Sequence, residues 1–366
     1  MTQETVLIAG FSGRALAQSA RRAGFVPLVV DGFGDEDLRA AAGAFELLSE
    51  APRRGFRARD LPPALDRLAR QAPNEPIGIV LGSGFEEVPG LIASIARRYR
   101  LIGCDAATVA HAKDPARLAA LCAERGIAFP ETVVAPPAQG TGWLSKRMGG
   151  TGGTHIRRAG QYPKPARGRY WQREIDGTNV SALGIVGTTD CAFAFSRQWT
   201  APTAARPFRF GGAAGSLDLD PDLEARMIEI GLDVARALSV AGLVSLDFVV
   251  TNDGTPVLLE VNPRPGATLD VFDDAKGTLF GAHIAAGVGA PTLTPYFEAW
   301  APPVARAVAY LYADRGPLDI GMSGWPEWAL DRPPPGRRIE RGAPIATVVA
   351  EAGDASEAER LCRERL

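Results

Sequence analysis

The chain has 366 residues, 46% hydrophobic and 22% charged, with a formal net charge of −2, which suits two or three globular domains. The even charge balance leaves no basic footprint for nucleic acid or an anionic membrane, and no apolar run nears the ~20 residues that span a bilayer. Four scattered cysteines (Cys104, Cys122, Cys191, Cys362) and three histidines (His111, His155, His283) form neither a C-x-x-C pair nor a zinc spacing, as expected of reduced thiols in a cytoplasmic protein.

The opening "MTQETVLIAGFSG" lacks the basic and long apolar regions of a signal peptide. Residues 6–9 read as a strand, followed by a glycine turn and an Ala-rich helix; 26–30 read as a second strand ending at Asp31; "IGIVLGSGFEE" repeats the strand-then-glycine pattern. Strands alternating with helices predict a parallel sheet over residues 1–103. The turn at Gly10 and Gly13 is not G-x-G-x-x-G, so a dinucleotide site lacks its fingerprint. In "GSGFEE", Glu86 either reaches a cleft through an open loop or serves as a helix N-terminal acid. A second part, 104–300, starts with a helix in "DPARLAALCAERGIAF". Short strands and glycine loops follow in "WLSKRMGGTGGTHIRRA" and "RYWQREIDGTNVSALGIVG", then a strong helix over 221–240. The third part, 301–366, includes a Pro-rich loop, a strand "PIATVVAEA" and a charged final helix.

The most informative stretch is "VSLDFVVTNDGTPVLLEVNPR". Asp253-Gly254 is a two-residue hairpin signal. That register pairs Asp247 with Glu260, Val250 with Val257 and Asn252 with Thr255, and puts Asn262 on the face of Glu260. Leu246, Phe248, Val250, Val257, Leu259 and Val261 fall on the other, apolar face. Opposed carboxylates repel. A shared proton would relieve them, and a solvated polar face would tolerate them. Two carboxylates with an amide oxygen are also hard ligands suited to Mg²⁺. On this reading, Glu260→Gln removes repulsion and leaves the metal-free protein at least as stable.

This segment, with Asp247, Glu260, Asn262 and then Arg264, resembles the metal-binding hairpin of the ATP-grasp superfamily. The resemblance implies an ATP-grasp fold, α/β plus α+β, with an N-terminal Rossmann-like domain (1–103), an ATP-grasp domain (104–300, small lobe about 131–184) and a segment (301–366) completing it. It implies that Asp247, Glu260 and Asn262 hold Mg²⁺ (or Mn²⁺) on ATP. Lys113 and Lys146 would contact phosphates, each otherwise a plain surface lysine. The loop Gly149, Gly150, Thr151, Gly152 and Gly153 would offer backbone amides to phosphate, or be a mobile surface turn. Gln172, Arg173, Glu174 and Ile175 resemble the strand that receives adenine. Asn179 stands where such proteins usually carry the acid that binds ribose. Arg264, and Arg209 in "PFRFGG", would stabilise an acyl phosphate or bind a carboxylate.

The activity implied is ATP-dependent joining of a small-molecule carboxylate, such as glutamate, to an amine through an acyl phosphate. Biotin-carboxylase-like activation of bicarbonate and non-catalytic ATP binding are the alternatives. The chain carries no biotin-accepting Met-Lys-Met. It also resembles ligases of one-carbon cofactor biosynthesis, those of methanofuran or tetrahydromethanopterin. The resemblance leaves room for a homodimer.

Overall fold

The computed structural model describes residues 3–160, 164–322 and 324–366. The first unit is a parallel five-stranded sheet made of β1 (Thr5–Ala9), β2 (Val26–Asp31), β3 (Ala44–Leu47), β4 (Ile79–Leu81) and β5 (Leu101–Ile102), in the order β3-β2-β1-β4-β5. Helices on its two sides leave β1 buried along its whole length, which is why that strand is apolar without alternation. The glycine turn after β1 is tied down by Asp31, whose carboxylate accepts the N–H groups of Gly13, Phe33 and Gly34 at 2.5–2.6 Å. The carboxylate at the end of β2 is thus spent on the loop itself.

A small antiparallel sheet follows, with β6 (Thr132–Val133), β7 (Trp143–Arg147), β8 (Arg157–Arg158) and β9 (Arg169–Arg173) in the order β6-β9-β7-β8. The next strands are β10 (Thr178–Val186), β11 (Cys191–Thr200), β12 (Phe210–Gly215), β13 (Gly242–Val250), β14 (Pro256–Asn262) and β15 (Ala305–Tyr312). After β15 come β16 (Leu318–Asp319), β17 (Ala329–Leu330), β18 (Arg338–Ile339) and β19 (Pro344–Ala352). The large sheet runs β14-β13-β10-β11-β12-β15-β19-β17, while β16 and β18 form a separate ribbon. Residues 178–184, expected in the small lobe, belong to β10 of the large sheet, and the third part of the chain adds its strands to that sheet. Helix Pro221–Ala237 starts at Asp220, whose side chain accepts the N–H groups of Asp222 and Leu223 at 3.1 and 3.2 Å. It ends three residues before the predicted 240, because Ser239 takes a positive φ of 56°.

The hairpin differs from its predicted register in one instructive way. Asp247 faces Glu260 and Ser245 faces Asn262, as the Asp253-Gly254 signal implies. Beyond a bulge next to Asp247, however, Phe248 faces Leu258 and Val250 faces Pro256 rather than Val257. The turn is longer than two residues, with the Thr251 N–H donating to Thr255 O and the Gly254 N–H to Thr251 O. The bulge then restores the pairing where the acids stand. It also exchanges side chains between faces. Leu258, not Leu259, enters the core with Leu246, Phe248, Val261 and Met227, and Leu259 lines the cleft instead.

Candidate active site

One cleft of about 1530 Å³ runs between the strand-end loops of the parallel sheet, the small lobe and the face of the large sheet. Its floor is polar because β14, β13 and β10 lie side by side. Asp247 accepts a hydrogen bond from Ser181 Oγ at 2.8 Å and another from the Asn262 amide at 3.1 Å. Asn262 turns its Oδ1 the other way, toward Lys113 Nζ at 2.6 Å, and the same ammonium donates to Glu260 Oε1 at 2.5 Å. Burial and the facing Glu260 push the Asp247 carboxyl up. Burial would raise Glu260 as well, but Lys113 beside it holds that carboxyl below the usual range. The opposed acids are therefore reconciled by separate partners: a cation for Glu260, hydroxyl and amide donors for Asp247.

These oxygens suit a hard cation, since an ammonium already sits on two of them. Among the described residues no three His, Cys, Asp or Glu side chains group as a metal site. Two carboxylates and an amide oxygen are the hard ligands that Mg²⁺ would take. Lys113 sits on Glu260 and Asn262 rather than at the phosphate position the resemblance implies.

Lys146, on β7, is 5% exposed and donates to Gln172 Oε1 at 2.5 Å. Burial lowers its pKa, against the pull of Glu260 and Asp247. Arg264 follows β14 and pairs with Glu86, whose other oxygen accepts the Gly84 and Phe85 N–H groups at 2.8 and 2.9 Å. Glu86 lies in the cleft wall with its carboxylate buried, committed to Arg264 and to its own loop rather than to a helix N-terminus, so the first unit holds the guanidinium of Arg264.

Gly149, Gly152 and Gly153 have φ between +64° and +69°, conformations that favour glycine. A Cβ on Gly153 would lie 1.8 Å from Phe208 O, and Gly152 O accepts the Phe210 N–H at 3.0 Å. The loop containing Gly150 and Thr151 is thus docked on the large sheet rather than free, with His155 packed beneath Gly150. Gln172, Arg173, Glu174, Ile175 and Asn179 all line the cleft, as do Leu144 and Leu259. The Arg173 guanidinium lies over Trp143 at 4.3 Å, and Glu174 pairs with Arg158 at 2.8 Å. Asn179 is exposed in the cleft opposite Val249.

Arg209 is not brought to the cleft lining. Its guanidinium is 1% exposed, doubly bonded to Asp314 at 2.7 and 2.8 Å, bonded to Ala201 O and stacked 3.7 Å from the Tyr312 ring centroid. That partnership leaves it no free donor pair for a substrate oxygen. Sequence reasoning missed Ser181 and the side-chain role of Gln172. Ser181 meets Asp247 only because β10 pairs with β13, and no turn in the chain announces that pairing. The face of Leu259 was hidden by the bulge.

Residues 114–268 match the family described as ATP-grasp domain. A D-alanine–D-alanine ligase of Anaeromyxobacter sp. (strain K) is 30% identical over 118 residues, 31% of this chain and 32% of that protein. The chain spans no more than about a third of the length of the curated relatives it matches. Similarity to solved structures extends over the whole chain. N5-carboxyaminoimidazole synthetase of Staphylococcus aureus, complexed with ADP, superposes with a TM-score of 0.68 at 14% identity, covering 100% of this chain and 98% of that one. The biotin carboxylase of Campylobacter jejuni gives 0.71 at 15% identity, covering 98% and 90%. The chain has the ATP-grasp fold, and its residues 114–268 match the ATP-grasp domain family.

Proposed function

We propose that the protein is an ADP-forming ligase that joins a carboxylate to an amine. The observation that carries this reading is the β13–β14 face. Asp247, Glu260 and Asn262 gather there, the last two on a lysine, in a cleft that also holds Lys146 and Arg264. The ligase named in the curated relative and the ADP of the Staphylococcus aureus structure agree with it. A carboxylate oxygen of the substrate attacks the γ-phosphorus of ATP, the bond to the bridging oxygen breaks, and ADP leaves. The amine nitrogen then attacks the acyl carbon, phosphate departs with its oxygen, and the amine proton passes to solvent.

The chain's own work is positioning and charge neutralisation. Asp247, Glu260 and Asn262 would hold Mg²⁺, which neutralises phosphate charge when bound. Lys113, which donates to Glu260 and Asn262, would turn to a phosphate oxygen where those two ligands are taken by a cation. Lys146 adds a second phosphate contact. Leu144, Ile175 and Leu259 offer apolar surface to adenine, the backbone of Gln172–Ile175 its polar edge, and Asn179 a neutral hydrogen-bonding partner for ribose. Arg264, aimed by Glu86, meets the negative charge that develops on the transferred group. Glutamate as the carboxylate and a place in one-carbon cofactor assembly belong to this proposal and rest on the sequence resemblance.

The test is ADP release with panels of amino acids and amines, repeated with hydroxylamine as the nucleophile. Equal yields of hydroxamate and ADP are expected, and Arg264→Ala should lose hydroxamate more than it loses ATP binding. Cleavage of ATP to AMP and pyrophosphate would overturn the mechanism. ADP release driven by bicarbonate without an amine would replace the ligase reading with carboxylase chemistry.

A further inference from the structure

The far end of the cleft holds charge that the proposed chemistry does not use. Five carboxylates gather there: Asp35, Asp37, Asp270 and Asp331 around the guanidinium of Arg14, itself 2% exposed, and Asp31 beside Asp35 and Asp331. Four of them are satisfied within the fold. Asp270 takes two bonds of 2.6 Å from Arg14, and Asp331 takes two more at 2.9 and 3.0 Å plus the Ser12 hydroxyl at 3.2 Å. Asp37 accepts the N–H groups of Asp331 and Arg332 at 2.9 and 3.0 Å. Asp31 holds the glycine turn described above.

Asp35 is different. It is 5% exposed and lines the cleft, yet its carboxylate has no hydrogen-bond or ion-pair partner among the described residues. It stands at the start of helix Glu36–Ala41, where an Asp usually accepts a helix N–H, and it accepts none. Burial, then Asp331, Asp31 and Asp37, push it up to about 8, with only Arg14 opposing. Its oxygens are open to the cleft, and its anionic form is favoured when a cation arrives there.

We infer that Asp35 receives the primary ammonium group of a substrate. A metal ion fits poorly, because the neighbouring carboxylates are already committed to Arg14 and to backbone N–H groups and leave one free oxygen ligand set. An ammonium asks for less, and the rings of Phe11, Phe33 and Tyr310 line the same cleft, apolar and aromatic surface suited to a cation on a hydrocarbon body. Position separates this group from the reacting nitrogen. Asp35 follows β2 and the Glu86–Arg264 pair follows β4, with β1 between them. Two strand spacings are about 10 Å, beyond the ~3–3.5 Å of an attacking atom. The ammonium therefore anchors the far end of a long substrate, such as a diamine or a carboxylate bearing a remote amine.

This assignment rests on the ligase reading for its role but not for its test. Phenethylammonium chloride and the uncharged phenethyl alcohol are titrated calorimetrically into the full-length protein without nucleotide. The ammonium should bind the wild type at least roughly tenfold more tightly than the alcohol, the yield of one charge-assisted hydrogen bond. Asp35→Asn should erase that difference, with the melting profile of the variant as the check on its fold. Equal binding of the two probes by the wild type overturns the subsite without recourse to any variant, as does an undiminished preference in a folded Asp35→Asn protein. ADP release by the wild type is measured in parallel: no ammonium preference in the wild type with intact amine-dependent ADP release removes the subsite alone. Retained preference without any ADP release removes the ligase reading and leaves the subsite.

Discussion

Glu260→Gln separates two views of the hairpin. If only the facing Asp247 mattered, removing a charge would relieve repulsion and the metal-free protein would be as stable or more so. The structure reverses the sign, because Glu260 Oε1 sits 2.5 Å from the Lys113 ammonium, whose side chain is 6% exposed. Breaking a fully buried pair costs about 3–5 kcal/mol. Here the Glu260 side chain is 27% exposed and glutamine still accepts a hydrogen bond, so about 2 kcal/mol is the reasoned cost. At roughly 2–4 °C per kcal/mol for large domains, melting in EDTA should fall by about 4–8 °C. Turnover should meanwhile need at least roughly tenfold more Mg²⁺, since lost second-sphere partners alone cost 10–100-fold. An unchanged melting temperature in EDTA would refute the Lys113 pairing. An unchanged Mg²⁺ requirement in an active variant would refute the metal assignment.

Lys146→Ala should weaken ATP binding roughly 10- to 100-fold, the loss of one charge-assisted phosphate contact; wild-type affinity in a nucleotide titration would detach Lys146 from the phosphates. Gly153→Ala combines a positive φ of 68° with a Cβ 1.8 Å from Phe208 O, so it should undock the glycine loop. The checks are faster proteolysis within residues 149–156 and a weaker ATP affinity. His283 is 1% exposed, accepts the Leu243 N–H at Nδ1 and is pushed by burial down to about 4. Its folded pKa lies below the unfolded value near 6.5. The neutral form's stability is therefore fully present above pH 6.5 and lost as pH falls toward 4, by up to roughly 3 kcal/mol. Melting temperatures from pH 7 to 4 should show that slope, and His283→Gln should flatten it.

Local sequence was sufficient wherever chemistry and periodicity agreed. The alternation of strand and glycine turn announces the parallel sheet, and Asp220 with Pro221 announces the long helix. Asp247, Glu260, Asn262 and Arg264 lie within eighteen residues of one another, so a hairpin alone brings them together, and they are legible as a site. What tertiary structure decided is everything that crosses between distant segments. Lys113 meets Glu260 across 147 residues, Glu86 meets Arg264 across 178 and Ser181 meets Asp247 across 66. Arg209 looked available for a substrate until Asp314, 105 residues on, took its donors. Even within the hairpin, one extra residue moved Leu259 from core to cleft, because a bulge shifts facing and leaves composition unchanged. Residue types mark which groups are able to do chemistry. Only long-range packing assigns each group its partner, and a charge does different work facing a carboxylate, a phosphate or open cleft, because electrostatic energy depends on separation and burial.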